Sequence, residues 1–327
     1  MFDAVLLISF GGPHGPADVR PFLANVLRGR RVSAERVEEV ARHYELFDGV
    51  SPITTLTVAQ ASGLRERLAV TPSPLPVYVG MRNWHPYLTD TLRQMYDDGV
   101  RRAIGFITSP FHSYSSCQQY RENVQAARAD LRASRGGDIE VTFVDSWFDH
   151  PGFIEANTQH VRKALSSLPR DAAADAQIVF TAHSIPLPMA ERSRYREQLH
   201  AAAQSVAARV GLEWALVYQS RSGRPEDPWL EPDVCDYLRQ ERARGRTAVV
   251  ISPIGFVSDH VEVLYDLDHE AAAVCREVGL LMQRAEAANT DPVFIDGMAD
   301  IVVRTLRKYR GRPLPIVAIE PSSDRVR

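Results

Sequence analysis

The sequence predicts an α/β protein with two similar lobes, each a parallel sheet flanked by helices. Short runs rich in β-branched residues alternate with longer amphipathic stretches, which is typical of strands alternating with helices. The chain has 327 residues, of which 45% are hydrophobic, so it can fill one large core or two ordinary ones. The strand-like runs divide into two sets of four, which indicates two lobes.

The candidate strands are short apolar runs bounded by turn residues. They are Ala4–Ser9, Val77–Gly80, Ala103–Thr108 and Val141–Asp145 in the first half, and Ile178–Ala182, Ala215–Gln219, Ala248–Ser252 and Pro292–Ile295 in the second. The third run of each half ends in a Ser-Pro pair, at Ser109-Pro110 and Ser252-Pro253. This likeness hints that one half is a duplicate of the other.

The boundary between the lobes is expected between Pro151 and Pro169. It gives an N-terminal lobe over residues 1–160 and a C-terminal lobe over residues 161–310, which carries the candidate metal-site residues. Residues 311–327 contain three prolines and two serines, and we expect them to form a flexible tail. Because polar residues follow nearly every candidate strand, we expect a ligand cleft between the lobes at the carboxyl ends of the strands.

The composition argues against several classes of function. A formal net charge of -3 gives no electrostatic case for binding nucleic acid or an anionic membrane surface. The longest apolar runs, such as Ala4 to Ile8, are far too short to span a membrane. No secretory signal is visible at the N-terminus, so we expect a cytoplasmic protein.

The three cysteines, Cys117, Cys235 and Cys275, are odd in number and widely spaced. This pattern is typical of reduced thiols and fits neither a disulfide framework nor a four-ligand metal site.

A histidine follows the apolar run that ends at Ala182. His183 lies where a strand opens into a loop that contains Pro186, a common place for functional side chains. Alternatively, the imidazole only hydrogen-bonds locally at the strand end.

An acidic row follows the run that ends at Ser252. Glu262, Asp266 and Glu270 recur at every fourth residue, so they share one face of a helix. Such a row is most often a solvated face. Here Asp259 and His260 stand at its start, and apolar residues are interleaved with it, which favours a partly buried helix. Buried carboxylates must be protonated, hydrogen-bonded or metal-bound, so the row can relay protons or hold a hard cation weakly.

A basic cluster near the N-terminus could pair with carboxylates of a ligand, or it could be a solvated helix end. It is formed by Arg28, Arg30 and Arg31. Tyr44, Ser51 and Tyr120 could line an aromatic and polar pocket, although this pattern is not specific.

Seven blocks of sequence resemble the ferrochelatase family, in the same order and over nearly the whole chain. The blocks run from Leu7 to Pro13, Gly49 to Ile53, Tyr114 to Tyr120, Phe180 to Pro186, Tyr218 to Gly223, Pro228 to Val234 and Pro253 to Glu262. In detail the chain most resembles the soluble actinobacterial-type enzymes, which insert iron into coproporphyrin III.

The resemblance implies two Rossmann-like lobes that hold a porphyrin between them. It implies that Fe²⁺ is a substrate, inserted with loss of two pyrrole protons and no redox change, and that no prosthetic group is needed. His183 and Glu262 would form the metal-site pair. Asp266 and Glu270 would continue the catalytic row, which in the family often lies on a helix with a π turn.

The resemblance also places Tyr44, Ser51 and Tyr120 where the family contacts the porphyrin and its propionates. Phe10 departs from the pattern, because some coproporphyrin-using members have a tyrosine there that ligates iron. Some relatives hold an iron–sulfur cluster with four cysteines, whereas this chain has three, so we expect no [2Fe-2S] cluster.

Three alternatives stay open from the sequence. The chain could prefer protoporphyrin IX, it could insert another metal such as cobalt into a sirohydrochlorin-type ring, or it could bind porphyrin or haem without inserting metal.

Overall fold

The computed structural model describes residues 2–29, 32–222, 224 and 226–310. Across these residues, the strands form two four-stranded sheets in which every pairing is parallel. The first sheet has the order β2-β1-β3-β4 and the second has the order β6-β5-β7-β8. The strands are β1 (Ala4–Ser9), β2 (Val77–Met81), β3 (Arg102–Ile107), β4 (Glu140–Phe143), β5 (Gln177–His183), β6 (Trp214–Gln219), β7 (Ala248–Ser252) and β8 (Leu281–Arg284). The predicted fold class is confirmed.

The central strands are apolar because helices cover both faces of each sheet. Every residue of β1 and of β7 is buried, and such strands have continuous runs of apolar residues where a half-exposed strand would alternate. These runs were the easiest elements to recognise in the sequence.

The helices connect successive strands and lie on both sides of the sheets. They are α1 (Pro16–Val26), α2 (Ala34–Glu45), α3 (Ile53–Ala69), α4 (Leu88–Asp97), α5 (Gln119–Arg135), α6 (Pro151–Ser166), α7 (Arg170–Ala174), α8 (Leu187–Glu191), α9 (Tyr195–Val210), α10 (Val234–Ala243), α11 (Val261–Val263), α12 (Ala272–Val278) and α13 (Pro292–Lys308), with two π-helical segments, π1 (Tyr114–Gln118) and π2 (Leu264–Ala271). Over the described part of the chain, no helix combines the length and apolar character needed to cross a membrane.

The prediction of a strand at Pro292–Ile295 is wrong, because this segment begins α13. The Asp291 carboxylate accepts hydrogen bonds from the amides of Val293 and Phe294, and Pro292 occupies the first turn, where its missing N–H costs nothing. The fourth strand of the second sheet is instead β8, an edge strand that is only half buried. Because this strand mixes polar and apolar residues, no clear strand pattern indicates it in the sequence.

A continuous hydrophobic core joins the two lobes. It contains Leu7 and Phe106 from the first sheet and Phe180 and Val250 from the second. Helix α6 packs against β7, β8 and α13, and α13 in turn packs against α3 of the N-terminal lobe. The predicted boundary between residues 160 and 161 falls within α6 and stays a prediction, and the predicted tail lies outside the described residues.

Candidate active site

The candidate site lies at the carboxyl edge of the second sheet. Strands β5 and β7 are neighbours there, and the chain leaves each of them at the point where the strand order reverses, which is where α/β sheets bind ligands. His183 is the last residue of β5, and Glu262 lies in α11, after β7. The hydroxyl of Tyr195 donates a hydrogen bond of 3.0 Å to the His183 carbonyl, which stabilises the end of the strand.

His183 and Glu262 face each other. The Nε2 atom of His183 lies 3.5 Å from Oε1 of Glu262, and its Nδ1 atom makes a short hydrogen bond with the carbonyl oxygen of Ser184. Because a carbonyl can only accept, Nδ1 carries the proton, and Nε2 points toward Glu262. On the other side, Nε2 of His260 lies 3.8 Å from Oε2 of Glu262. The carboxylate therefore lies between two imidazoles.

Burial and charge act in opposite directions on this pair. Burial lowers the pKa of His183, but the Glu262 charge outweighs it, so the pKa lies above the usual value for histidine. Burial raises the pKa of Glu262, but His183 outweighs it, so the pKa lies below the usual value for glutamate. The pKa of His260 is lowered, chiefly by burial. Each member of the pair therefore favours the charged form of the other, whereas burial favours the neutral form of His260.

Asp266 is the next carboxylate along the row. Its Oδ2 accepts a hydrogen bond of 3.1 Å from the amide of Gln219 and a short one from the hydroxyl of Ser220. Burial, followed by repulsion from the Glu262 carboxylate, raises the pKa of Asp266 to about 7. This carboxyl can therefore both take up and release a proton near neutral pH.

Glu270 is the outermost member of the row and is exposed. Burial still raises its pKa, against the effect of a hydrogen bond with Tyr265. A groove of about 550 Å³ borders Asp266 and Glu270 but does not include His183 or Glu262. The row therefore leads from a half-buried pair to an open, acidic groove.

The local sequence explains the shape of the helix that carries the row. His260 caps it, because its Nδ1 atom accepts a hydrogen bond of 3.2 Å from the amide of Val263. One turn later the helix becomes the π-helical segment π2, which contains both Asp266 and Glu270. Such segments are rare and frequently occur at functional sites.

An aromatic wall of the N-terminal lobe, formed by Phe10, Phe22 and Tyr44, extends toward Glu262. The rings of Phe10 and Phe22 pack edge to face with centroids 6.2 Å apart, and those of Phe22 and Tyr44 are 5.8 Å apart. Burial and the Glu262 charge raise the pKa of Tyr44. Tyr44, which the resemblance places in the porphyrin pocket, therefore lies within electrostatic reach of Glu262.

Ser51 and Tyr120 line the same lobe. A Cβ atom added at Gly12 would lie 2.6 Å from the Cβ of Ser51. Glycine is therefore required for the backbone at position 12 to lie so close to Ser51. Tyr120 is buried, and the Arg82 guanidinium lies 5.4 Å from its ring centroid. Burial raises the pKa of Tyr120, although Arg82 acts to lower it. Arg82 also lies 5.8 Å from the ring centroid of Phe10, so it joins Tyr120 to the aromatic wall.

Of the three arginines of the basic cluster, the structure describes Arg28. Arg28 is exposed and donates a hydrogen bond of 2.7 Å to the side chain of Asn25. Arg30 and Arg31 lie outside the described residues. Their assignment to substrate binding stays a prediction, as do the roles of the other site residues.

Sequence reasoning missed Gln219 and Ser220 as partners of Asp266. Their signal was a polar pair where the apolar strand β6 ends, the same signal that revealed His183 at the end of β5. Ser220 has a positive φ of 61°, a backbone conformation that cannot be inferred from its neighbours in sequence. Among the described residues, no three His, Cys, Asp or Glu side chains converge closely enough to hold a metal ion.

Comparison with known proteins places this chain in a family. The sequence model of the ferrochelatase family matches residues 2–306. A protein from Rhodopirellula baltica named ferrochelatase is 48% identical over 314 residues, which cover 95% of this chain and 88% of that protein. The coproporphyrin III ferrochelatase of Streptomyces coelicolor is 46% identical over 337 residues, which cover 97% of this chain and 89% of that protein.

Solved structures agree in fold. The structure of SirB from Bacillus subtilis with Fe³⁺ superimposes with a TM-score of 0.59 at 10% identity, covering 95% of this chain and 98% of that one. At this identity the likeness concerns the fold alone. The match of the family model and the identity to the two relatives extend over nearly the whole sequence. The chain therefore belongs to the ferrochelatase family.

Proposed function

We propose that this protein inserts Fe²⁺ into coproporphyrin III with release of two pyrrole protons. The observation that carries the proposal is the His183–Glu262 pair, with its side-chain atoms 3.5 Å apart. The pair lies at the carboxyl edge of the second sheet, beside an aspartate whose pKa is about 7. An imidazole and a carboxylate with open positions suit a cation that must be released again.

The chemistry requires proton acceptors but no electron transfer, because Fe²⁺ replaces two pyrrole protons without a change in oxidation state. His183 in its neutral form accepts one proton at Nε2, and the approach of a cation favours this neutral form by opposing the imidazolium charge. Glu262 faces His183 and relays this proton onward, so His183 becomes neutral again and accepts the second pyrrole proton. Asp266 then accepts protons from the pair and passes them to Glu270 and the open groove.

The N-terminal lobe provides the porphyrin seat in this proposal. Tyr44 and Phe10 offer an apolar surface to the macrocycle, while Ser51, Tyr120 and the basic cluster of Arg28, Arg30 and Arg31 bind its propionates. Four propionates make coproporphyrin III the more highly charged substrate, and each charge-assisted hydrogen bond contributes about 1.5–3 kcal/mol. Loss of two propionates should lower kcat/KM by about tenfold or more.

The test is to measure kcat/KM for coproporphyrin III and for protoporphyrin IX, each with Fe²⁺ under anaerobic conditions. We expect a preference of about tenfold or more for coproporphyrin III. A preference for protoporphyrin IX would refute the substrate, and Phe10 is the residue that would then account for it. Binding of both porphyrins without turnover would refute metal insertion itself and indicate a carrier.

We also propose that the enzyme works in the cytoplasm without an iron–sulfur cluster. The sequence has only three cysteines, and they lie apart, with Cys117 in the N-terminal lobe and Cys235 and Cys275 in the C-terminal lobe. Anaerobically purified protein should therefore show no cluster absorbance and no acid-labile sulfide. A cluster with matching iron and sulfide would contradict this.

A further inference from the structure

Two buried glutamines on equivalent helices each make hydrogen bonds to the opposite lobe. Gln60 lies on α3, which precedes the second strand of the first sheet, and Gln198 lies on α9, which precedes the second strand of the second sheet. Their exposed fractions are 0% and 2%. A buried primary amide is costly unless it is hydrogen-bonded, so the partners of these two side chains show what they do.

Gln60 holds the C-terminal lobe. Its Nε2 donates a hydrogen bond of 3.0 Å to the hydroxyl of Ser258 and one of 2.7 Å to the carbonyl of Asn289. Ser258 lies in the connection after β7, and Asn289 lies in the segment after β8. One side chain of the N-terminal lobe therefore ties together two connections of the other lobe.

Gln198 makes the reciprocal contacts. Its Oε1 accepts a hydrogen bond of 2.7 Å from the amide of His112, and its Nε2 donates one of 3.3 Å to the hydroxyl of Ser146. His112 lies in the connection after β3, and Ser146 lies in the segment after β4. The two glutamines thus reach matching connections, after the third and the fourth strand of the opposite sheet.

The connection that Gln60 holds leads directly to the metal-site pair. Asp259 follows Ser258, and its amide and carboxylate are both hydrogen-bonded to the Asn289 side chain, at 2.9 and 2.8 Å. Arg284 donates to the same carboxylate at 2.9 Å. Glu262 lies three residues after Asp259. Gln60 therefore anchors, through both Ser258 and Asn289, the segment that positions this carboxylate.

The connection that Gln198 holds leads to the porphyrin seat. His112 is followed by Ser113, which caps π1 by accepting a hydrogen bond of 3.1 Å from the amide of Ser116. Helix α5 continues from π1 and carries Tyr120 in its first turn. Gln198 therefore anchors the segment that presents Tyr120.

We propose that Gln60 and Gln198 are a reciprocal pair of positioning residues. Together they fix the position of Glu262 in one lobe relative to Tyr120 in the other. Gln60 places Glu262 relative to the porphyrin-bearing lobe, and so it controls the chemical step. Gln198 places π1 and Tyr120 relative to the metal-bearing lobe, and so it controls binding of the porphyrin. The proposal rests on the proposed function, which assigns metal insertion to one lobe and the porphyrin seat to the other.

The test compares Gln60→Met with Gln198→Met, since methionine has a similar volume and makes none of these hydrogen bonds. Gln60→Met should lower kcat about tenfold with little change in the KM for porphyrin, because small displacements of reacting groups slow the chemical step strongly. Gln198→Met should raise the KM for porphyrin about tenfold with little change in kcat. Equal effects of both variants on the same parameter, or unchanged kinetics in folded protein, would overturn the proposal.

A double-mutant cycle identifies the bond responsible. If Gln60 acts through Ser258, Ser258→Ala should lower kcat, and Ser258→Ala combined with Gln60→Met should lower it no further than Gln60→Met alone. Additive losses would refute this route. Thr57→Val is the matched control, because Thr57 is equally buried on the same helix but is hydrogen-bonded within its own lobe, to Ser9 and Ile53. It should leave both kinetic parameters unchanged.

Amide hydrogen exchange separates this proposal from the proposed function. Exchange of the Asp259 amide should accelerate in Gln60→Met and not in Gln198→Met, whether or not the protein inserts iron. If wild-type protein shows no metal insertion but this exchange pattern holds, the proposed function is refuted and the positioning role of Gln60 is supported. If exchange is unchanged in both variants, the positioning role of Gln60 is refuted.

Discussion

The two lobes share one architecture and differ in the side chains that it presents. Both sheets have the strand order 2-1-3-4, counted within each lobe, and in both the chain enters a π-helical segment after the third strand. Each segment is preceded by a side chain that caps the helix, Ser113 in one lobe and His260 in the other. In the sequence this likeness is visible as a Ser-Pro pair at or just after the end of each third strand.

The difference lies in charge. Segment π1 reads Tyr-Ser-Ser-Cys-Gln and contains no carboxylate, whereas π2 contains Asp266, Asp268 and Glu270. The first strand leads into Phe10 and two glycines in the N-terminal lobe, but it ends in His183 in the C-terminal lobe. The same scaffold thus offers an apolar and hydroxyl-rich surface on one side and a proton-accepting, cation-attracting row on the other. We infer that one lobe binds the macrocycle while the other performs the chemistry.

The largest effect should come from His183, because the matching strand end of the N-terminal lobe has no histidine. His183→Ala removes the group that faces Glu262 across 3.5 Å, and loss of a general base or ligand of this kind costs about 10²–10⁴ in rate. We expect metal insertion to fall by about a thousandfold. The measurement is the initial rate of Fe²⁺ insertion under anaerobic conditions.

The control for this variant is His200→Ala. His200 is an exposed histidine of the same lobe that packs against Trp214, with ring centroids 4.9 Å apart. It should keep full activity, and both variants should melt near the wild-type temperature. Near-normal turnover by folded His183→Ala protein would break the assignment of chemistry to the C-terminal lobe.

A gradient along the acidic row should follow its burial. Glu262→Gln should lower kcat about a hundredfold, because the amide can neither pair with His183 nor pass on its proton. Glu270→Gln lies at the exposed end, so it should mainly raise the apparent KM for Fe²⁺, by a few-fold as expected of a solvent-screened charge. Steady-state kinetics with varied Fe²⁺ separates the two effects. Equal and negligible effects would show that the row is only a solvated face.

Sequence reasoning recovered those parts of the molecule that are encoded locally. The strands around Ala4 and Ala248 are continuous apolar runs, and His183 and Glu262 are polar residues at fixed distances from such runs. Strand β8 escaped because an edge strand is half exposed and lacks a clear pattern. The segment at Pro292 was apolar enough to resemble a strand, and only the capping aspartate before it indicated a helix.

Relations between distant segments could not be predicted in the same way. Gln60 and Ser258 are 198 residues apart in the chain, and no local pattern indicates that they meet. The pKa of Asp266 depends on its burial and on Glu262, and the hydroxyl that contacts it comes from Ser220 in another connection. Such effects require the assembled lobes, because burial and distance determine them and composition does not.

The proposed proton-relay role of Asp266 predicts a specific pH dependence. Below pH 7 this carboxyl is protonated and cannot accept a proton, so kcat should rise as the pH increases through about 7. Asp266→Asn should remove this rise and lower kcat at pH 8 by about tenfold. The Asp266 charge also helps to raise the pKa of His183, so any remaining rise should shift to lower pH. A wild-type profile in the Asp266→Asn variant would contradict the relay.

The smallest effect should come from the N-terminal lobe, where we propose that the Ser51 hydroxyl contacts the porphyrin. Ser51→Ala should raise the KM for coproporphyrin III about fivefold and leave kcat unchanged, because one net hydrogen bond contributes about 1 kcal/mol. Ser9→Ala is the matched control, since Ser9 is equally buried in this lobe but its hydroxyl is hydrogen-bonded to Thr57 at 3.1 Å. A loss of kcat in Ser51→Ala with unchanged KM would show that the N-terminal lobe also takes part in the chemical step, and that the two lobes do not divide the work as their charges indicate.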